Sequence, residues 1–395
     1  DGQQDISGVR AWYIPGSFRF CLHCKTYNAR GRDWTRLSGL SGEGRSSATT
    51  IISIAALRYM LGSDTDLADD ARKLLGFIDN RQDASLQAGH FNDFMQILLL
   101  RSALLASVKG ATETLSDSII TQRVFEALGF NSDDPKVREE FLQNPGDVAP
   151  RIKRDAEETM RNVLGYRLYF DLRRGWRFNN PNLEQLDLVR IDYEDLDHLC
   201  QDDARWKSAD PRLAEASPET RKVAVRLLLD TLRRGLCIKS RYLDRFNHEQ
   251  WKNKSRQYLK EPWGLTEDEE LEEASYAVIG KASRNRNTIS LSLRSRFGQT
   301  IKQPSRWEGE YGPLGEKEYP KFLKSLLDVV EAYGLIESAE VEKGVTGYQV
   351  LGEALVWLPG EGEPGTEFLN EQPTRNPYFI DLYKAVSAML ANRQR

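Results

Sequence analysis

Cysteine is scarce: four residues in 395, at positions 21, 24, 200 and 237, too few and too unevenly spaced for a disulfide-stapled secreted scaffold. A reducing, cytoplasmic setting is the expectation. Long apolar runs are also missing. The best candidate, residues 51–61, is interrupted by Arg58 and falls short of the roughly 18 residues a membrane helix needs. Charge of one sign is not in excess, since 55 Lys and Arg stand against 59 Asp and Glu, which excludes a histone-like protein that coats nucleic acid uniformly. The first methionine is Met60 and the opening Asp1-Gly2-Gln3-Gln4-Asp5 is not a signal segment, so a piece of a longer protein, or a processed product, is expected.

Catalytic signatures are equally thin. The chain has no Gly-x-x-x-x-Gly-Lys-[Ser/Thr] phosphate loop, no Gly-x-Ser-x-Gly elbow and only four histidines. Asp79, Asp83, His90 and Asp93 would suit a metal-dependent nuclease only if other elements converged on them, because positions 79 and 83 share a helical face whereas position 93 lies about three turns further along. Cys21-Leu22-His23-Cys24 supplies half of a tetrahedral zinc site, with His23, Cys200 or Cys237 as candidate further ligands and two free thiols as the alternative. Cys200 and Cys237 sit in apolar helical contexts and are expected to be core thiols.

What is present points to a mainly α chain with a small α/β part. Residues 1–47 read as an irregular segment with a candidate zinc knuckle. Residues 48–61 form an apolar helical pattern, 73–79 a short buried strand, and 80–108 a long helix capped by Asp79. A strand that delivers a capped helix N-terminus is half of a βα unit, where free N–H groups favour anions. Helical spacing continues over 117–128, 135–142, 151–172, 192–200 and 218–234. The last has Ser217 as cap, Pro218 in the first turn and Gly235 as stop.

The C-terminal third segregates charge. Residues 261–273 hold seven acidic side chains and no basic one, whereas 274–307 hold seven basic ones (Lys281, Arg284, Arg286, Arg294, Arg296, Lys302 and Arg306) and no acidic one. The basic run is either a solvated surface, a partner for the acidic run before it, or a phosphate-binding stretch. Residues 239–260 add seven basic side chains interleaved with Tyr242, Phe246, Trp251 and Tyr258, a composition suited to single strands. A helix over 320–333 and two strands, 335–342 and 346–356, joined at Lys343-Gly344-Val345, then give the ending of a winged helix-turn-helix with a basic tip. A linker over 360–365 and a short helix over 378–390 close the chain.

One window carries a family likeness. Phe77, Asp79, Arg81, Gln82, Asp83 and Ala84 resemble the Phe-x-Asp-x-Arg-Gln-Asp-Ala segment at motif IV of large bacterial superfamily-two DEAD/DEAH-box helicases of the Lhr-like and defence-associated kind. Residues 43–50 and 176–185 are similar to segments of the same proteins, so the likeness covers about a third of the chain. Walker A, the Asp-Glu box and motif VI are absent. The resemblance therefore implies a middle fragment: 1–47 the irregular segment, 48–110 the start of the second RecA-like domain, 111–273 a helical insertion, 274–359 a winged-helix-like domain and 360–395 a linker with a final helix. It also implies ATP and magnesium in the parent protein, DNA and the remaining helicase domains as partners, and no ATP hydrolysis by this chain alone. Asp79, Asn80, Arg81, Gln82, Arg284, Arg286, Arg294, Arg296 and Lys343 are the expected nucleic-acid contacts, and Cys21 and Cys24 the expected zinc ligands. The alternative is a non-enzymatic winged-helix DNA-binding regulator.

Overall fold

A computed structural model describes residues 49–60, 68, 71–74, 81–146, 149–173, 181–280, 287–362 and 376–393. The chain is mostly helical with a small mixed sheet. The apolar opening helix α1 (Thr49–Met60) is followed by α2 (Arg81–Gly110), α3 (Asp117–Ala127), α4 (Pro135–Phe141) and α5 (Pro150–Asp171). Of the strand expected over 73–79, only Lys73 and Leu74 lie among the described residues. Both are exposed and outside regular structure, so this end of the segment is not a buried strand.

α2 is the spine of the N-terminal half. Its stretch Gln87–Gly110 has the length and apolarity of a membrane span, but it packs against α3 and against the last helix, α13 (Pro377–Arg393). It also buries a charge. Arg101, 1 % exposed, forks onto Asp171 with Nε and Nη2 at 2.9 and 2.6 Å, while Nη1 donates to the Pro181 carbonyl and the Tyr383 hydroxyl at 3.0 and 2.9 Å. An arginine satisfied on every side in this way belongs to a protein core, not to lipid.

Residues 192–200 are not one helix. β1 (Val189–Tyr193) comes first, with alternating burial, and α6 (Leu196–Gln201) follows, then the short α7 (Asp203–Trp206) and α8 (Pro211–Ala214). α9 (Pro218–Arg234) forms as its ends dictate: the Ser217 hydroxyl accepts from the Thr220 N–H, Pro218 fills the first turn, and Gly235 closes it. The end of α9 holds a second buried ionic knot. Arg233, fully buried, donates to both Glu184 carboxylate oxygens at 2.9 and 2.6 Å and to Asp230 at 3.1 Å; Arg234 adds a bond to Glu184 at 2.9 Å. Burial alone would raise the Glu184 pKa, but the two guanidinium charges outweigh it and hold that carboxyl down at about 2.

After β2 (Ile238–Lys239) and α10 (Arg245–Tyr258), the short strands β3 (Tyr276–Val278) and β4 (Thr288–Ser290), then α11 (Arg296–Ile301) and α12 (Tyr319–Tyr333), lead into the hairpin β5 (Ile336–Glu342) and β6 (Val345–Leu351). β6 is the central strand. β5 lies antiparallel on one edge; β3, antiparallel, and β2, parallel, share the other. Gly347 is required there, because a Cβ would stand 2.3 Å from the Val341 side chain and 2.8 Å from that of Tyr276. Gly334, at φ 93°, turns the chain out of α12 in the left-handed conformation.

The second strand of the hairpin ends earlier than its residues suggest. The chain turns at Gly352 and a separate strand, β7 (Leu355–Pro359), runs antiparallel to β1 with Ile191 opposite Trp357. One continuous apolar core extends from Ile54 to Leu390, so the segments 111–273 and 274–359 share both a strand pair and a core.

Candidate nucleic-acid interface

α12 is amphipathic by construction. Phe322, Leu323, Leu326, Leu327 and Val330 are buried against the sheet, and Lys321, Lys324 and Asp328 are left on the outer face. Trp307 meets Phe322 edge-on with ring centroids 5.1 Å apart, and the Tyr319 hydroxyl donates to the Leu291 carbonyl at 2.9 Å. These contacts fix the start of the helix against the loop that follows β4.

The outer face of α12 forms one wall of a groove of about 860 Å³ whose other wall is residues 204–209, with Arg205 and Ser208 opposite Lys321, Lys324 and Ser325. The Asp210 N–H donates to the Ser325 hydroxyl at 2.8 Å and joins the two walls. Lys324 pairs with Asp328 at 2.5 Å, a bond that raises its pKa to about 12, so it stays cationic at any working pH. Arg205 stacks over Tyr333 at 4.9 Å and pairs with Asp202 at 2.9 Å. Lys321 is exposed and has no ion pair among the described residues. Lys321, Lys324 and Arg205 against the paired Asp328 and Asp202 leave the groove one net positive charge, which with the Ser208 and Ser325 hydroxyls can hold a phosphate oxygen. These groups cannot carry out bond chemistry without a nucleophile or a metal.

The expected contacts fall unevenly around this groove. Asp79, Asn80, Arg284 and Arg286 lie outside the described residues, as do Cys21 and Cys24 with their expected zinc. Arg81 and Gln82 open α2, where a helix start was expected. Arg294 and Arg296 are exposed at the start of α11, whose cap is the Ser295 hydroxyl accepting from the Gly298 N–H. Lys343 is exposed at the hairpin tip, but Glu340 and Glu342 are exposed beside it, and Glu340 accepts the Gly344 N–H at 2.9 Å. The tip carries one cation against two carboxylates, a field that repels phosphate. Lys321, Lys324 and Arg205 went unremarked in the sequence reading, although positions 317, 321 and 324 follow the helical spacing that puts lysines on one face.

Several basic residues of 239–260 are paired within the chain. Arg256 pairs with Glu267 at 3.3 Å and Arg245 with Glu273 at 3.6 Å, while the Lys252 ammonium donates to the Glu267 carbonyl at 3.4 Å. The acidic run therefore turns back onto α10 and onto α5, where Arg167 meets Glu269 at 3.1 Å, and Arg173, just past the end of α5, meets Glu272 at 2.6 Å. Of the residues weighed for a metal-dependent nuclease, Asp79 lies outside the described residues, and His90 Nδ1 lies 3.1 Å from the Thr50 hydroxyl, which also accepts from Gln87 at 3.0 Å. Among the described residues no three His, Cys, Asp or Glu side chains are placed to hold one metal ion.

Cys200 and Cys237 are buried free thiols, as expected. Burial, with Asp197 nearby, pushes the Cys200 thiol up to about 12, and burial raises that of Cys237 as well. In a Cys21→Ser, Cys24→Ser variant, thiol titration should find no reactive sulfur in the native protein and two after unfolding in guanidinium. A native thiol that reacts within minutes would contradict the packing.

No protein family, curated protein or solved structure matches the chain.

Proposed function

We propose that the chain is a DNA-binding module without catalytic activity of its own, which grips the phosphate backbone in the groove between α12 and residues 204–209. The carrying observation is the cationic outer face of α12 opposite Arg205. The surrounding order supports a winged-helix reading: three helices, α9, α11 and α12, pack with a sheet in which the second hairpin strand lies between the first hairpin strand and β3. One departure is the connection between α11 and α12, residues 302–318, far longer than a helix-turn-helix turn. Contact through the backbone, not insertion of α12 between bases, fits a helix whose outer face already shares a groove with a neighbouring segment.

A helicase parent is favoured by one further observation. α2 begins at Arg81, within the Phe77-to-Ala84 segment that resembles motif IV. In that reading the chain supplies grip and domain coupling in the cytoplasm, while ATP and magnesium are bound by motor segments elsewhere in a longer protein.

The test is binding of labelled single-stranded and duplex DNA across a salt series. Tight binding that falls steeply with salt is expected, because phosphate neutralisation releases counterions. Lys321→Gln with Lys324→Gln should weaken it about tenfold and flatten the salt slope by about two. Absence of binding at low salt, or a double variant with unchanged slope, overturns the α12 groove as the site.

A further inference from the structure

The acidic run is tethered at both ends and only lightly held between them. At one end Leu265 is buried and its N–H donates to the Ser255 hydroxyl at 2.6 Å; at the other the Ala274 N–H donates to the Leu243 carbonyl at 3.0 Å. In between, residues 266–273 form no helix or strand. They are held by the ion pairs to Arg167, Arg173, Arg245 and Arg256, by the half-buried Leu271, and by three further hydrogen bonds: the Glu272 N–H to the Tyr166 hydroxyl at 3.1 Å, the Lys252 ammonium to the Glu267 carbonyl at 3.4 Å and the Asn287 amide to the Glu273 carboxylate at 3.2 Å. Most of those pairs are solvent-exposed: the Arg245 and Arg256 side chains are 78 % and 54 % accessible. Exposed pairs are individually weak and screened by salt.

The geometry is that of a polyanion laid along a basic helix. Arg245 and Arg256 are eleven helical steps apart, roughly 16 Å, and the six steps from Glu267 to Glu273 reach about 20 Å at full extension. The strap runs antiparallel to α10, with Glu273 at its first turn and Glu267 at its last. Beside Arg245 stands Phe246, 88 % exposed. An unburied aromatic next to a cation is the stacking element that single strands use, and at this exposure no core packing holds it.

We infer that Glu267 to Glu273 is an internal stand-in for a nucleic-acid strand, masking a second binding face for single-stranded nucleic acid formed by α5 and α10 around Arg245, Arg256 and Phe246. The strap and an incoming strand compete for the same guanidinium groups. The strand gains by stacking on Phe246 and by releasing its own counterions. Lifting the strap requires the exposed pairs, the half-buried Arg167–Glu269 pair, the hydrogen bonds to Tyr166, Lys252 and Asn287, and Leu271 to part, while Leu265 and Ala274 keep its ends in place.

The experiment neutralises the strap in the full chain, E267Q with E269Q, E272Q and E273Q, and measures anisotropy of labelled oligo-dT. Binding about tenfold tighter than wild type is expected. The gain should vanish on adding R245Q and R256Q, and persist on adding K321Q and K324Q, which separates this face from the α12 groove. Unchanged or weaker binding by a folded variant overturns the inference. If the variant does not fold, hydrogen exchange of the wild-type chain with oligo-dT at low salt decides: faster exchange over residues 266–273 supports the masking role, and unchanged or slower exchange overturns it. Wild-type chain that binds nothing, beside a variant that binds tightly, would remove the α12 reading and leave this one standing.

Discussion

Replacing Glu184 with Ala should cost about 3–5 kcal/mol of unfolding free energy, because it leaves the fully buried Arg233 with Asp230 as its only carboxylate partner and Arg234 without its bond to Glu184. Urea denaturation of wild type and variant measures it, and a loss below about 1 kcal/mol would show that the knot is dispensable. The same carboxyl sets an acid limit. Its folded-state pKa of about 2 lies below the ordinary 4.5, so its contribution is complete above the higher value and drains away as pH falls towards the lower. The difference corresponds to about 3 kcal/mol. Wild type should therefore lose stability steeply across that acid window, and the Glu184→Ala chain should lack that part of the slope.

Arg101→Ala should be comparably severe, about 3–5 kcal/mol, because one guanidinium ties the end of α5, the Pro181 carbonyl and the Tyr383 hydroxyl to α2. Removing it leaves Asp171 only 13 % exposed and without its fork. A double-mutant cycle with Asp171→Asn separates the ionic coupling from lost packing. An Arg101→Met, Asp171→Leu pair should recover much of the loss, since apolar replacement of a buried ion pair is often neutral. If Arg101→Ala alone proves neutral by thermal melting, the fork is ornamental and α13 is held by its apolar face.

Local pattern made some elements legible and hid others. α9, α12 and the β5–β6 hairpin were readable because caps, apolar spacing and a glycine stop all agree over a few residues. β1 was hidden inside a run read as helical, since its partner β7 lies more than 160 residues downstream and no short-range signal announces the pairing. The early end of β6 was hidden too: a Cβ on Gly352 would lie 3.2 Å from both the Lys239 carbonyl oxygen and the Tyr169 hydroxyl, a crowding set by tertiary neighbours. At the interface the arginines of 274–307 drew attention by number, whereas Lys321 and Lys324 follow from the face that α12 turns outward. The basic run after it was read as a solvated surface, a partner for the acidic run or a phosphate-binding stretch; among the described residues the acidic run pairs with the upstream Arg167, Arg173, Arg245 and Arg256. Trp263 and Leu265, both buried, set the direction in which it leaves α10.

The dependence of α2 on α13 has a consequence for biogenesis. The Arg101 guanidinium meets a hydroxyl 282 residues further along the chain, and at a synthesis rate of roughly 5–20 residues per second that partner emerges about 15–60 s later. Throughout that interval the nascent chain carries the apolar flank of α2 and an unsheltered buried cation, the kind of surface that chaperones retain. Ribosome-bound intermediates that stop before Tyr383 should remain in that waiting state, and the core closes only when the last helix arrives.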